Sequence, residues 1–235
     1  MKYRALDSDK TVETISVLHD RISERFPSSG LNEVCKELCT IASESRVKLE
    51  EISKPNIYLR IGVYSVIFIS LLLLGYSISL AEIQMGSLNI SDLAQVAESI
   101  VNDIVFIGIA FFFLITVEVR LKRVRVLQSL HELRAISHVI DMHQLTKDPS
   151  KILKHATSTA SSPQKTLSSF ELIRYLDYCS EMLALTGKLS ALYAQKFNDA
   201  VVLSAVNELE TLTTSLSRKI WQKIVILHKL EKSNA

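Results

Sequence analysis

Residues 61–81 read IGVYSVIFISLLLLGYSISLA, a run of 21 residues without a charge. At ~1.5 Å per residue a helix of this length covers roughly 31 Å, close to the hydrocarbon thickness of a bilayer. An uncharged run this long reads as a spanning helix rather than the core helix of a soluble protein. Tyr58 and Tyr64 stand near one end and Tyr76 near the other, where interfacial aromatics gather.

The charges outside this run are placed accordingly. The 235-residue chain has 27 Lys and Arg, 25 Asp and Glu, and 48% hydrophobic residues, averages that would suit a soluble domain. No cation, however, lies between Ile61 and Val119, a stretch that holds five acids, Glu82, Asp92, Glu98, Asp103 and Glu118. The flanking parts carry 27 cations against 20 acids, so a segment of net −5 is bracketed by parts totalling +7.

A second span is weaker. Only 14 residues, Ile104 to Val117, separate Asp103 from Glu118. Extended to residues 99–119 it reaches 21 residues, with both acids near an end where they can meet headgroups. Arg120, Lys122, Arg123 and Arg125 follow as a basic membrane anchor, matched by Arg60 before the first span. By the positive-inside rule both termini are expected in the cytoplasm, with residues 82–98 as a short acidic external loop. The N-terminus has no apolar core like that of a cleaved signal peptide, so the first span is expected to act as the anchor.

The remaining parts read as helices. Pro27, Pro55, Pro149 and Pro163 fall at punctuation points. Val12, Ile15, Leu18 and Ile22 form one apolar stripe over residues 9–26, and Pro27-Ser28-Ser29-Gly30 is a turn. A second helix is expected over 32–53, carrying Val34, Cys35, Leu38, Ile41, Ala42, Leu49 and Ile52. From Leu121 through Val124, Leu127, Leu130, Leu133, Ile136, Ile140 and Leu145 the pattern predicts one long helix over about 99–144. Residues 147–166, with seven Ser or Thr, two Pro and four Lys, read as a flexible linker. Two more helices are expected, about 168–197, with Phe170, Ile173, Leu176, Met182, Leu185, Leu189 and Leu192 as its apolar pattern, and 199–230. The second has a near-heptad seam, Val202, Val206, Leu209, Leu212, Leu216, Ile220, Ile224 and Leu227, that suits a coiled coil or, better, a bundle.

Candidate chemistry is sparse. Cys35 and Cys39 share a helical face and, with Cys179, read as small core residues in a reducing compartment. His131, Arg134, His138 and Asp141 share one face of the long helix; His131, His138 and Asp141 are weak metal candidates, since no further ligand has suitable spacing. A polar helix face is the simpler reading, and no metal or cofactor is expected. Phosphate-loop, dinucleotide and nucleophile-elbow signatures are absent, so an enzyme is not expected. No basic stripe lies beyond the anchor, so nucleic acid is not an expected partner. On the first span Tyr58, Gly62, Ser65, Ile69, Leu72, Tyr76 and Ser79 make a small and polar stripe suited to helix contacts. The sharper reading joins Gly62, Ser65, Tyr76 and Gly108 to Glu98 and Asp103 as an oligomeric pore with an acidic ring.

The expected organisation is therefore all-α: a two-span transmembrane hairpin with a cytoplasmic helical bundle or coiled-coil-like region. Its parts are a helical pair at 1–54, the hairpin at 55–119, a cytoplasmic extension at 120–146, the linker, and a helical hairpin at 167–235. The plan resembles small two-span effector and sensor proteins of bacteria in architecture alone, and no residue role is carried over. The expected role is a plasma (bacterial inner) membrane scaffold or sensor, homo-oligomeric, with a cytoplasmic protein partner. The alternative is an oligomeric ion channel or pore-forming effector.

Overall fold

A computed structural model describes residues 4–83, 90–149 and 167–234. These residues are all-helical, with no strand among them. The six helices are α1 (Ser8–Arg25), α2 (Gly30–Ser53), α3 (Ile57–Ile83), α4 (Ile90–Leu145), α5 (Ser169–Lys196) and α6 (Ala200–Asn234). They form two compact units, one of residues 1–53 with 125–235 and one of residues 54–124. Most of the linker at 147–166 lies outside the described residues.

The first unit is a bundle built around α5. Local signals set its boundaries. Asp7 caps α1, its carboxylate accepting from the backbone N–H groups of Asp9 and Lys10, which satisfies donors that a helix start leaves free. Ser168 and Glu171 form a reciprocal capping box at the start of α5. Helix α1 buries Thr11, Ile15, Leu18 and Ile22 as one stripe. Phe26, just past its end, meets Tyr175 and Tyr178 edge-on at centroid distances of 5.6 and 6.3 Å.

Helix α5 packs against α1, α2 and α6 and buries residues on nearly every side, from Leu172 to Tyr193. The part of α4 from Arg125 onward completes the same core with Val126, Leu130, Leu133, Ile136 and Ile140. Polar contacts hold it there. Lys48 of α2 pairs with Glu132 at 3.0 Å, and Arg134 pairs with Glu208 of α6 at 2.8 Å. At the far end Lys223 Nζ of α6 donates to the backbone carbonyls of Gln144 (2.7 Å) and Lys147 (3.2 Å). A cation there satisfies carbonyls left over by the helix C-terminus and meets its negative dipole end. The α6 seam of Val202, Val206, Leu209, Leu216, Ile220, Ile224 and Leu227 is buried within this bundle, so no second chain is needed to cover it.

Three expectations need correction. Helix α4 begins at Ile90 and runs 56 residues, so much of the expected external loop is helical. Residues 87–107 contain neither Gly nor Pro, and Leu93, Ala94, Gln95, Ala97 and Glu98 are good helix formers. Phe170, read as part of the α5 core pattern, is 58% exposed and lies under the Arg25 guanidinium. Leu121, Val124 and Leu145 are likewise exposed, because the buried face of α4 follows Val126, Ser129, Leu130, Leu133, Ser137, Ile140 and Gln144.

Candidate membrane-inserting site

The second unit contains the apolar helices. Among the described residues one helix is long and apolar enough to cross a membrane, the part of α4 from Ile100, and none of its most apolar stretch is buried. Helix α3 contains a shorter apolar stretch, Tyr64–Leu73. Exposed apolar side chains cover more than half of the circumference of α4: Val101, Ile104, Val105, Phe106, Ile109, Phe112, Phe113 and Ile115 are exposed, Phe106 by 71% and Phe112 by 73%. An apolar surface this large and uncovered marks a face that meets a membrane or another protein.

One stripe of α4 differs. Ile100, Asp103, Ile107, Ala110 and Val117 are half-buried, spaced mostly by three or four residues, while the described side chains between them are exposed. The stripe leads to Glu118, whose carboxylate accepts from the Asn56 backbone N–H at 3.2 Å and pairs with Lys122 at 3.0 Å. Asn56 directly precedes α3, so Glu118 meets the electropositive start of that helix. The beginning of α3 and the end of the apolar part of α4 are thus joined by one carboxylate.

Arg120, Lys122, Arg123 and Arg125 follow within a turn and a half. At about 100° per residue they point to different sides of α4 and make a collar rather than a stripe. Arg120 and Arg125 are exposed; Lys122 and Arg123 are half-buried. The side chain of Arg60 lies outside the described residues. Ser65, Tyr76 and Glu98 are exposed, and Asp103 is half-buried. No described atom lies within 4 Å of a Cβ placed on Gly62, Gly75 or Gly108. Close packing among the described residues therefore does not explain those glycines.

The other candidates lie in the bundle. His131 and His138 are exposed. Arg134 is engaged by Glu208, and Asp141 accepts from Gln144 Nε2 at 2.6 Å. Among the described residues no three His, Cys, Asp or Glu side chains converge to hold a metal. Cys35 and Cys179 are fully buried, and half-buried Cys39 faces the Ile15 carbonyl at 3.7 Å. The contact with Cys39, and then burial, push the Cys35 thiol up; burial alone pushes Cys179 up to about 12. Thiols so shielded and protonated are inert.

His143 was not singled out by spacing. Its ring packs on α2, with Cε1 2.5 Å from where a Cβ on Gly30 would stand. Only glycine admits this approach. Burial, and then the charge of Lys147, hold the His143 pKa below its ordinary value.

No family model matches the chain, and neither the curated proteins nor the solved structures include a significant match.

Proposed function

We propose that the chain is an integral protein of a plasma or bacterial inner membrane, crossing the bilayer twice. Helix α3 and the apolar part of α4 are the two spans, and the bundle and both termini lie in the cytoplasm. The bundle acts in assembly or partner binding, as a scaffold or sensor, within a homo-oligomer.

The observation that carries this reading is the uncovered apolar wall of α4. In water that wall would be an exposed patch far beyond what soluble monomers tolerate. Matched lengths support the hairpin. Helix α3 has 27 residues, about 40 Å at ~1.5 Å each. From Ile90 to Glu118 α4 covers 29 residues, with Glu118 against the start of α3. Two helices of similar length, joined at one end by a short connection and at the other by Glu118, run antiparallel in this reading. We read the half-buried stripe of α4 as the face turned toward α3. The collar at Arg120 to Arg125 stands where headgroups lie, which favours the cytoplasmic side for the bundle.

The channel alternative draws on the open glycines Gly62, Gly75 and Gly108, which leave room for a neighbouring protomer. Asp103, on the half-buried stripe, is the intramembrane acid best placed to matter in it. Reconstitution separates the two readings. A scaffold gives a defined assembly without ion flux; a channel gives flux that Asp103→Asn abolishes or alters. Release of the wild-type chain from membranes as a soluble monomer by alkaline extraction would refute both.

A further inference from the structure

We infer that the cleft between the last turns of α2 and the part of α4 beginning at Arg125 binds a phosphoethanolamine group, carried by an ethanolamine phospholipid. The cleft has a volume of about 320 Å³ and is lined by Lys48, Glu51 and Ile52 of α2 and Arg125, Gln128, Ser129 and Glu132 of α4. That volume is near the lower end of the ~300–1,000 Å³ typical of ligand pockets, so it suits a headgroup rather than a larger ligand.

The charges in it are of two kinds. Lys48 is already committed: its Nζ lies 3.0 Å from Glu132 and 3.2 Å from Glu44. Burial draws its pKa down, but the two carboxylates more than offset this and leave it raised. Those groups form a fixed wall in which one cation is held by two carboxylates. Arg125 and Glu51 remain, one from each helix, both exposed, and neither side chain enters an ion pair or hydrogen bond among the described residues. Gln128 adds an uncommitted amide, and Ile52 an apolar floor. Close to Lys48 lies the fully buried Tyr193, whose hydroxyl has no hydrogen-bond partner among the described residues.

One free guanidinium and one free carboxylate in a common cleft match a ligand with one anionic and one cationic end. Guanidinium forks pair with phosphate oxygens, and a carboxylate accepts hydrogen bonds from a primary ammonium. A polyanion is disfavoured, because the lining holds as many acids as cations. The source follows from chain order: Arg125 closes the basic collar, and only three residues separate the end of α2 at Ser53 from the start of α3 at Ile57. This choice of a lipid source rests on the membrane reading above; the chemistry of the cleft does not.

The test uses the full chain in phosphatidylcholine nanodiscs doped with either phosphatidylethanolamine or phosphatidylglycerol, and counts lipid retained on release by native mass spectrometry. Phosphatidylethanolamine should be retained about tenfold over either other lipid, the worth of one charge-assisted hydrogen bond. Arg125→Gln and Glu51→Gln should each abolish the preference. Both side chains are exposed, and unchanged helicity by circular dichroism would show that the bundle is intact. Equal retention of the three lipids, or a preference that survives both substitutions, would overturn the proposal even if the chain inserts well. Titration of free phosphoethanolamine in detergent is the second arm. Binding as tight as the lipid's, lost in both variants, would keep the cleft's chemistry and overturn its lipid source. A chain that never enters nanodiscs yet binds free phosphoethanolamine would overturn the membrane reading and the lipid source together.

Discussion

Ile109→Asp sets the lipid reading of α4 against an aqueous one. Ile109 lies nine residues before Glu118, about 14 Å along the helix at ~1.5 Å per residue, near the middle of a ~30 Å hydrocarbon core. It is 60% exposed, so in lipid it supplies about 1–2 kcal/mol of the ~1.5–3 that full burial of such a side chain gives. An aspartate at a span centre costs a further ~2.5–3.5 kcal/mol on insertion scales. The substitution should therefore oppose insertion by about 4–5 kcal/mol, roughly a thousandfold in the equilibrium. The assay is the fraction of chain that resists alkaline extraction from membranes, with Ile109→Leu as a control expected to behave as wild type. In water the same change would only remove an exposed apolar side chain. A soluble, monodisperse Ile109→Asp protein whose helicity and melting match wild type without detergent or lipid would refute the reasoning.

Other expectations concern the bundle. Leu176 is fully buried on the central helix, so Leu176→Ala should destabilise the bundle by about 2–5 kcal/mol in denaturant unfolding in detergent. Gly30→Ala should cost about 1–2 kcal/mol by driving a methyl into the His143 ring, and His143→Ala in the same chain should recover most of it. Acid should weaken the bundle through His143. Its folded pKa lies below the ordinary value near 6.5, so the unfolded chain binds more protons, and stability present above about pH 6.5 falls as pH drops through the folded pKa. Melting temperatures of His143→Gln should fall less than those of wild type over that window.

What the sequence makes legible is what depends on neighbours in the chain. The absence of charge over 61–81 and the prolines at 27 and 55 mark helices within a few residues of where α1, α2 and α3 lie. The start of α4 is less legible, because acids near residue 92 suit a loop and a helix N-terminus equally. The centrality of α5 is hidden for a different reason. A helix enclosed on all sides also buries Thr186, Gly187 and Ser190, where close approach favours small residues, so its core outgrows any single apolar stripe. The Lys223 cap and the cleft between Glu51 and Arg125 join residues more than 70 positions apart. Periodicity carries no information about such pairs.

The central claim, a hairpin with the bundle on one side, is tested most directly by labelling single cysteines with a membrane-impermeant reagent in intact cells. The background is Cys39→Ala, in which Cys35 and Cys179 are fully buried. Ser91→Cys should react from outside, while Glu24→Cys and Lys219→Cys, both at exposed positions, should react only after permeabilisation. If residue 91 is protected along with the other two, or residues 24 and 219 fall on opposite sides, the hairpin is wrong.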